Sequence, residues 1–265
     1  MLWHGIEGST ASGYMPSTAD KAFHAGFNVV RVNLRNCGGT EHLTPTLYHA
    51  GLSGDLRAVL TELIKRDGLP RLFLAGFSLG GNMVLKCAGE YGDDPPPQLL
   101  GVCAISPAVD PAASVAAIML PSNWIYHWDF VRRLRKRIYT KHKLFPDLYD
   151  INRVSQVRTL RDFDECYTSK AHGFADADDY YQKSGSLNVI KGIRIPTLIL
   201  HAEDDPFIPF FPLLHPSVSR NPYVFLVATK RGGHVAFVSQ KKDYEDRFWG
   251  ENRVIEFCKL ANESL

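Results

Sequence analysis

The 265-residue sequence lacks the features of several common protein classes. No apolar run approaches the roughly 20 residues of a membrane span, and no basic segment followed by an apolar one marks a secretory signal. The net charge is only +2, from 30 Lys and Arg against 28 Asp and Glu, so composition gives no general case for nucleic-acid binding. We expect a cytoplasmic protein without a nucleic-acid partner.

The five cysteines also lack any diagnostic spacing. They form no CxxC pair and no His/Cys pattern of a metal site, and three of them lie in apolar surroundings typical of buried thiols. The positions are Cys37, Cys87, Cys103, Cys166 and Cys258. We therefore expect a reducing compartment and no structural metal.

What the sequence does contain is a series of short apolar runs separated by helical stretches. The runs are rich in β-branched and aromatic residues and cover residues 27–34, 71–78, 99–106, 197–205 and 223–230. Near-continuous apolar runs are typical of parallel strands covered on both faces. Residues 52–68 carry apolar side chains at helical spacing and end at Gly68. This order predicts a mostly parallel, doubly wound α/β sheet.

The alternation of strands and helices stops at about residues 111–192, which have no apolar strand run. We predict one domain over residues 1–265 with a helical cap insertion at 111–192. Residues 132–143 (RRLRKRIYTKHK) are dense in positive charge, typical of a solvated helix face or of a weak contact with anionic lipid or an acidic substrate. We interpret the neighbouring aromatic side chains as packing within the cap: Trp124, Tyr126, Trp128 and Phe130.

The stretch GFSLGG (76–81) contains a candidate nucleophile, Ser78. A predicted strand precedes it and a helix-compatible run, NMVLKCAGEY, follows it. A G-x-S-x-G serine in a strand, sharp turn and helix is held exposed at the carboxyl edge of a sheet, and the glycines relieve crowding in the turn. The alternative is a glycine turn whose serine only caps the next helix.

A nucleophilic serine needs a base and an acid. In hydrolases with this turn the order along the chain is serine, acid, histidine. His234 lies in a glycine loop after the last apolar run, and Asp205 follows the run before it, with Asp204 as the rival acid. The HGIEG turn at 4–8 and the residue after the serine predict backbone N–H donors to an oxyanion at Ile6 and Leu79, with His4 in a structural role.

Several stretches together resemble one family. They include HGIEGSTASGYM, GFSLGGNMVLK, TLRDFDECYTSKAHGFADADDYY, HAEDDPFIP and GGHVAF, in this order along nearly the whole chain. They are similar to the YheT-like α/β-hydrolases, the bacterial relatives of the eukaryotic abhydrolase-domain lipid esterases. The family has strands before the His-Gly turn, so we expect the N-terminal strands here to be missing or shortened.

The resemblance implies an α/β-hydrolase fold and a triad of Ser78, Asp205 and His234 acting on acyl esters. The expected activity is hydrolysis of a carboxylic ester with a hydrophobic acyl chain, without a metal or organic cofactor. Two alternatives stay open: acyl transfer to an alcohol by the same triad, and a non-catalytic protein that binds a lipid or partner through the cap.

Overall fold

A single parallel sheet organises the fold. The computed structural model describes residues 1–263, and within them the strands are β1 (Leu2–Trp3), β2 (Arg31–Val32), β3 (Leu72–Phe77), β4 (Leu99–Ile105), β5 (Thr197–Ala202) and β6 (Val224–Thr229). Their order in the sheet is β2-β1-β3-β4-β5-β6, and every neighbouring pair is parallel. The predicted α/β class is confirmed.

Helices connect these strands. They are α1 (Tyr14–His24), α2 (Ser53–Lys65), α3 (Leu79–Tyr91), α4 (Pro111–Ile118), α5 (Trp124–Leu144), α6 (Leu160–Phe163), α7 (Ser169–His172), α8 (Ala177–Ser184), α9 (Pro216–Ser219) and α10 (Trp249–Glu263). The helix predicted within residues 52–68 is α2, and Gly68 follows it with a φ of +65°. None of the helices in residues 1–263 has both the length and the apolar character needed to cross a membrane.

The central strands β3, β4 and β5 are buried on both faces. Successive strand residues point in opposite directions, so each of these strands contributes side chains to both faces. In β3, Leu74 belongs to the apolar cluster that contains Leu60 of α2 and Val84 of α3. Phe77 of the same strand belongs to a second cluster with Met15 of α1 and Val254 of α10. Two helical layers therefore cover the strands, as expected for a doubly wound sheet.

Two predicted strands differ from the observed ones. Residues 27–34 contribute only Arg31–Val32, because their partner β1 offers two residues for pairing. The last run does form β6, but Phe225 and Val227 on this strand are exposed. The expectation that this run is covered on both faces is wrong, because Phe225 and Val227 lie on the same face of the strand and that face is open to solvent.

Between β4 and β5, residues 111–192 contain helices and turns but no strand. Their apolar side chains form a separate cluster that includes Leu134, Ile138 and Phe163. A π-helical turn at Asp164–Thr168 joins α6 to α7. The limits of the domain, 1–265, and of the cap, 111–192, stay predictions.

The aromatic residues of α5 do not form the packing cluster that we predicted. Trp124 and Trp128 are 63% and 60% exposed, and Tyr126 is also exposed. Only Phe130 of the four packs against the cluster between the helices. The interpretation as cap packing is therefore wrong for the two tryptophans, because they lie away from the helix face that buries Leu134 and its neighbours.

Candidate active site

Ser78 occupies a strained turn between β3 and α3. Its φ of 55° and ψ of −117° lie in a region that residues other than glycine rarely adopt. A Cβ at Gly76 would lie 2.2 Å from the Gly80 carbonyl oxygen, and a Cβ at Gly80 would lie 2.6 Å from the His4 carbonyl oxygen. The glycine spacing of GFSLGG is thus required by backbone crowding.

Ser78, His234 and Asp205 are joined by two hydrogen bonds. The Ser78 Oγ lies 3.0 Å from His234 Nε2, and His234 Nδ1 lies 2.8 Å from Asp205 Oδ2. A carboxylate can only accept, so Nδ1 carries the imidazole proton and Nε2 accepts from the serine hydroxyl. The side chain of Ser78 makes no capping bond to α3 among the described residues, which counts against the helix-cap alternative.

The Asp205 carboxylate is fully enclosed yet stays anionic. Its side chain has 0% exposure, and its Oδ1 accepts from the backbone N–H groups of Phe207 (2.9 Å) and Ile208 (3.0 Å). Burial would raise the pKa of Asp205, but the hydrogen bonds from His234 and from these backbone groups lower it below its ordinary value. The carboxylate can therefore orient the imidazole and stabilise its protonated form.

The alternative acid, Asp204, binds the glycine loop and not the His234 ring. Its Oδ1 accepts hydrogen bonds from the N–H groups of Gly232 (2.8 Å) and Gly233 (2.9 Å). Ser106 supports the other side of this loop, because its Oγ accepts from the Val235 N–H at 3.2 Å. These two residues hold the loop that carries His234, and the sequence patterns did not reveal the role of either.

The two predicted oxyanion donors lie beside Ser78, and Ile6, Leu79 and Ser78 line the same cavity. The neighbouring amides in the His-Gly turn are occupied: the Gly5 N–H donates to the Tyr14 hydroxyl, and the Glu7 N–H donates to the Tyr48 hydroxyl. The N–H groups of Ile6 and Leu79 donate to no acceptor within residues 1–263. This pattern favours Ile6 over its neighbours as the donor in this turn.

His4 supports this turn and is completely buried. The Leu34 N–H donates to His4 Nε2 at 3.0 Å, so Nδ1 carries the proton and donates to the Gly5 carbonyl at 2.8 Å. Burial lowers the pKa of His4, which keeps the ring neutral. These contacts agree with the structural role predicted for this residue.

Ser78 opens into a cavity with mostly apolar walls. Its volume is about 100 Å³. The apolar walls come from the loops around the sheet and from the helices between β4 and β5: Leu47, Ala108, Val115, Ile118, Leu134 and Phe163. No cluster of three or more His, Cys, Asp or Glu side chains suited to a metal ion occurs in residues 1–263.

The sequence model of the alpha/beta hydrolase family matches residues 1–247. The chain belongs to the α/β-hydrolase family. The candidate esterase YheT of Escherichia coli is 30% identical, in an alignment that covers 100% of this chain and 77% of that protein. A monoacylglycerol lipase of Saccharomyces cerevisiae is 28% identical over 100% of this chain, which spans only 60% of the yeast protein.

The predicted membership of this α/β-hydrolase among the YheT-like proteins is confirmed by these relatives. Solved structures agree with the fold. The esterase Pf2001 of Pyrococcus furiosus superposes with a TM-score of 0.61 at 18% identity, over 98% of this chain and 81% of that one. At this identity the likeness shows the fold alone.

An ion pair that the sequence patterns did not reveal connects helix α5 to the His-Gly turn at residues 4–8. Arg137 Nε donates to Glu7 Oε1 at 2.7 Å, and the Tyr48 hydroxyl donates to the same oxygen at 2.8 Å. Both charged side chains are at most 10% exposed, and Arg137 also donates to the Asn36 carbonyl. Because Glu7 directly follows Ile6, this pair holds the backbone that carries the candidate oxyanion donor.

We expect Arg137→Met to lower kcat about ten- to a hundredfold, because an unpaired buried Glu7 would displace the Ile6 N–H. The loss should be greater in kcat than in substrate affinity, and Arg137→Met/Glu7→Gln should recover part of it. Steady-state kinetics of the purified variants measures both parameters. The control is Arg133→Met on the exposed face of α5, and an equal loss in this control would contradict a positioning role for Arg137.

The cavity wall also contains the carboxyl group of Asp164, which forms no ion pair within residues 1–263. Asp164 lies in the π-helical turn and accepts hydrogen bonds from Thr168 Oγ1 at 2.7 Å and from the Tyr181 hydroxyl at 2.8 Å. Burial raises the pKa of Asp164 to about 6, although these hydrogen bonds act in the opposite direction. Near neutral pH the folded protein therefore contains a buried negative charge, which lowers its free energy of unfolding.

Replacing Asp164 with asparagine should stabilise the protein in a pH-dependent way. Below the unfolded-state pKa of 3.8 both states are protonated, so the charge has no effect; between 3.8 and about 6 only the unfolded state ionises, and wild-type stability falls as pH rises. We expect a gain of about 1 to 3 kcal/mol above this range, with some loss from altered hydrogen bonds.

Urea unfolding of Asp164→Asn and wild type at several pH values would measure this gain. Asp178→Asn on α8 is a suitable control, because the Asp178 side chain is 67% exposed and pairs with Arg161 on the surface. A stability difference at Asp164 that did not change with pH would show that packing, and not charge burial, determines it.

Proposed function

We propose that this α/β-hydrolase is a serine esterase that cleaves carboxylic esters with a hydrophobic acyl chain. The observation that carries the proposal is the hydrogen-bonded series Ser78, His234 and Asp205 at the wall of a largely apolar cavity. The names of its relatives as esterase and lipase support the same reaction class. The chain spans only part of the length of these relatives, so the activity of the whole protein belongs to this proposal.

In the proposed mechanism Ser78 Oγ attacks the ester carbonyl carbon while His234 Nε2 takes the hydroxyl proton. The carbonyl oxygen becomes an oxyanion that accepts hydrogen bonds from the N–H groups of Ile6 and Leu79. The bond to the alcohol oxygen then breaks, and His234 returns the proton to the departing alcohol. Water then attacks the carbonyl carbon of the acyl-serine while His234 Nε2 takes a proton from it. The bond to Ser78 Oγ breaks, His234 returns the proton to the serine oxygen, and the acid is released.

The cavity volume suggests the size of the acyl group. A cavity of about 100 Å³ with mostly apolar walls favours short and medium-length acyl chains. Longer chains would require the helices between β4 and β5 to move. We therefore propose short and medium-chain esters as the preferred substrates.

Labelling with a fluorophosphonate tests the nucleophile, and p-nitrophenyl esters of rising chain length test the substrate class. We expect covalent modification on the peptide that contains Ser78, mapped by mass spectrometry, and faster turnover of butyrate to octanoate esters than of palmitate. A folded protein that resists labelling would favour the non-catalytic alternative. Ester formation that outruns hydrolysis when an alcohol is added would instead assign acyl transfer.

A further inference from the structure

The N-terminal half of α5 presents large apolar side chains to solvent. Trp124, Ile125, Tyr126 and Trp128 are each more than half exposed, and so is Leu120 just before the helix. We call these five residues the α5 apolar patch. Trp124 and Trp128 are one helical turn apart and therefore lie on the same face. Grouped exposure of this kind marks an interaction surface, whereas single exposed apolar residues do not.

Basic side chains continue this surface along the helix. α5 contains seven Lys and Arg residues and a single acidic residue, Asp129. The Arg132 guanidinium lies 5.5 Å from the centre of the Trp128 ring, so the basic region begins where the apolar patch ends. Trp128, Arg132, Arg135 and Lys136 line one shallow groove. Arg132 pairs with Asp129, while Arg135 and Lys136 form no ion pair within residues 1–263.

The patch lies next to the candidate active site. Tyr126 contacts Phe207 with ring centres 4.8 Å apart, and Phe207 contacts His234 with ring centres 5.1 Å apart. Leu134 and Arg137, on the opposite side of the same helix, line the cavity that contains Ser78. A partner that covers the exposed side of α5 would therefore lie close to His234 and to the cavity at Ser78.

We propose that the α5 apolar patch and its adjacent basic residues form a docking surface for an anionic lipid bilayer. Tryptophan and tyrosine favour the boundary between hydrocarbon and headgroups, and Lys and Arg are attracted to anionic lipid. A helix with these two regions lies in the plane of the membrane surface. Arg137 and Lys141 are turned inward, which leaves five basic residues of α5 at the surface against the single acidic residue Asp129. This positive excess complements an anionic surface and favours a bilayer over a second copy of this basic helix.

Vesicle flotation tests this inference with the full chain carrying Ser78→Ala, so that no turnover alters the lipid. The probes are vesicles of phosphatidylcholine alone and vesicles in which about one third of the lipid is phosphatidylglycerol. We expect binding to the anionic vesicles that weakens with added salt. Trp124→Ala/Trp128→Ala should weaken it at least about tenfold, since each ring loses apolar contact with the bilayer. Arg135→Gln/Lys136→Gln should weaken binding to anionic vesicles alone.

Two matched variants serve as controls at exposed positions elsewhere. Phe23→Ala/Tyr244→Ala removes two exposed aromatic rings, and Lys65→Gln/Lys259→Gln removes two exposed positive charges. Neither should change the binding by as much as twofold. The inference is overturned if the Ser78→Ala protein fails to float with anionic vesicles, or if the controls lose as much binding as the α5 variants. Self-association that depends on Trp124 and Trp128 without vesicle binding would assign the patch to a second copy and would also overturn it.

Discussion

Ser78→Ala is expected to lower kcat for ester hydrolysis by about 10⁴- to 10⁶-fold, since no other described group is placed to attack as the serine does. The Ser78 hydroxyl is hydrogen-bonded to the His234 ring, so the two residues should act as one unit. His234→Ala should therefore cause a loss of similar size, and the double variant little more. Steady-state kinetics with a short-chain ester measures each loss.

Ser114→Ala is the matched control for the nucleophile. Ser114 lines the same cavity, but its hydroxyl donates to the Asp110 carbonyl in α4 and contacts no group of the triad. We expect its kcat to stay within about threefold of wild type, because only one helix hydrogen bond is lost. If Ser114→Ala were as inactive as Ser78→Ala, or if Ser78→Ala retained full activity, Ser78 would not be the nucleophile.

The adjacent pair Asp204 and Asp205 provides a second strong test. Asp205→Asn should reduce kcat about 10⁴-fold. An amide that donates to His234 Nδ1 would shift the ring proton to Nε2, and a protonated Nε2 could not take the proton of the Ser78 hydroxyl. Asp204→Asn keeps a carbonyl oxygen that can accept from the glycine loop. We expect its loss to be about tenfold or less, from looser placement of His234.

Kinetics of both variants, with circular dichroism to verify folding, would measure the difference. The buried Asp205 carboxylate has two hydrogen-bond donors besides His234, so the asparagine variant must also be tested for stability. Equal losses for the two variants would show that the loop geometry, and not the chemistry of Asp205, limits the reaction.

Helix α5 links three parts of this α/β-hydrolase. Leu134 contributes to the cavity wall, Arg137 pairs with Glu7 in the His-Gly turn, and Trp124 and Trp128 face solvent. Movement of this one helix would therefore change the cavity at Ser78 and the candidate oxyanion site together. A shift of α5 would therefore affect both the entry of a substrate and the placement of the groups that would react with it.

Several features could be predicted from short stretches because their causes are local. The crowded backbone around Ser78 requires glycine at Gly76 and Gly80, so the turn could be predicted from the six residues GFSLGG. The helix α2 followed from apolar spacing, and the central strands from apolar runs that are buried on both faces. The positions of Asp205 and His234 after late strands also followed the order along the chain.

Other features depend on which distant segments meet. Asp204 and Asp205 are adjacent and chemically identical, and only the packing of the loop at 232–235 directs one to the glycine amides and the other to His234. The Arg137 to Glu7 pair joins residues 130 positions apart. Aromatic spacing in α5 could not distinguish packing from exposure, because burial depends on what covers a helix face. Local sterics and periodicity therefore specified the elements and the turn at Ser78, whereas long-range packing determined the partners of each charge and the exposed side of α5.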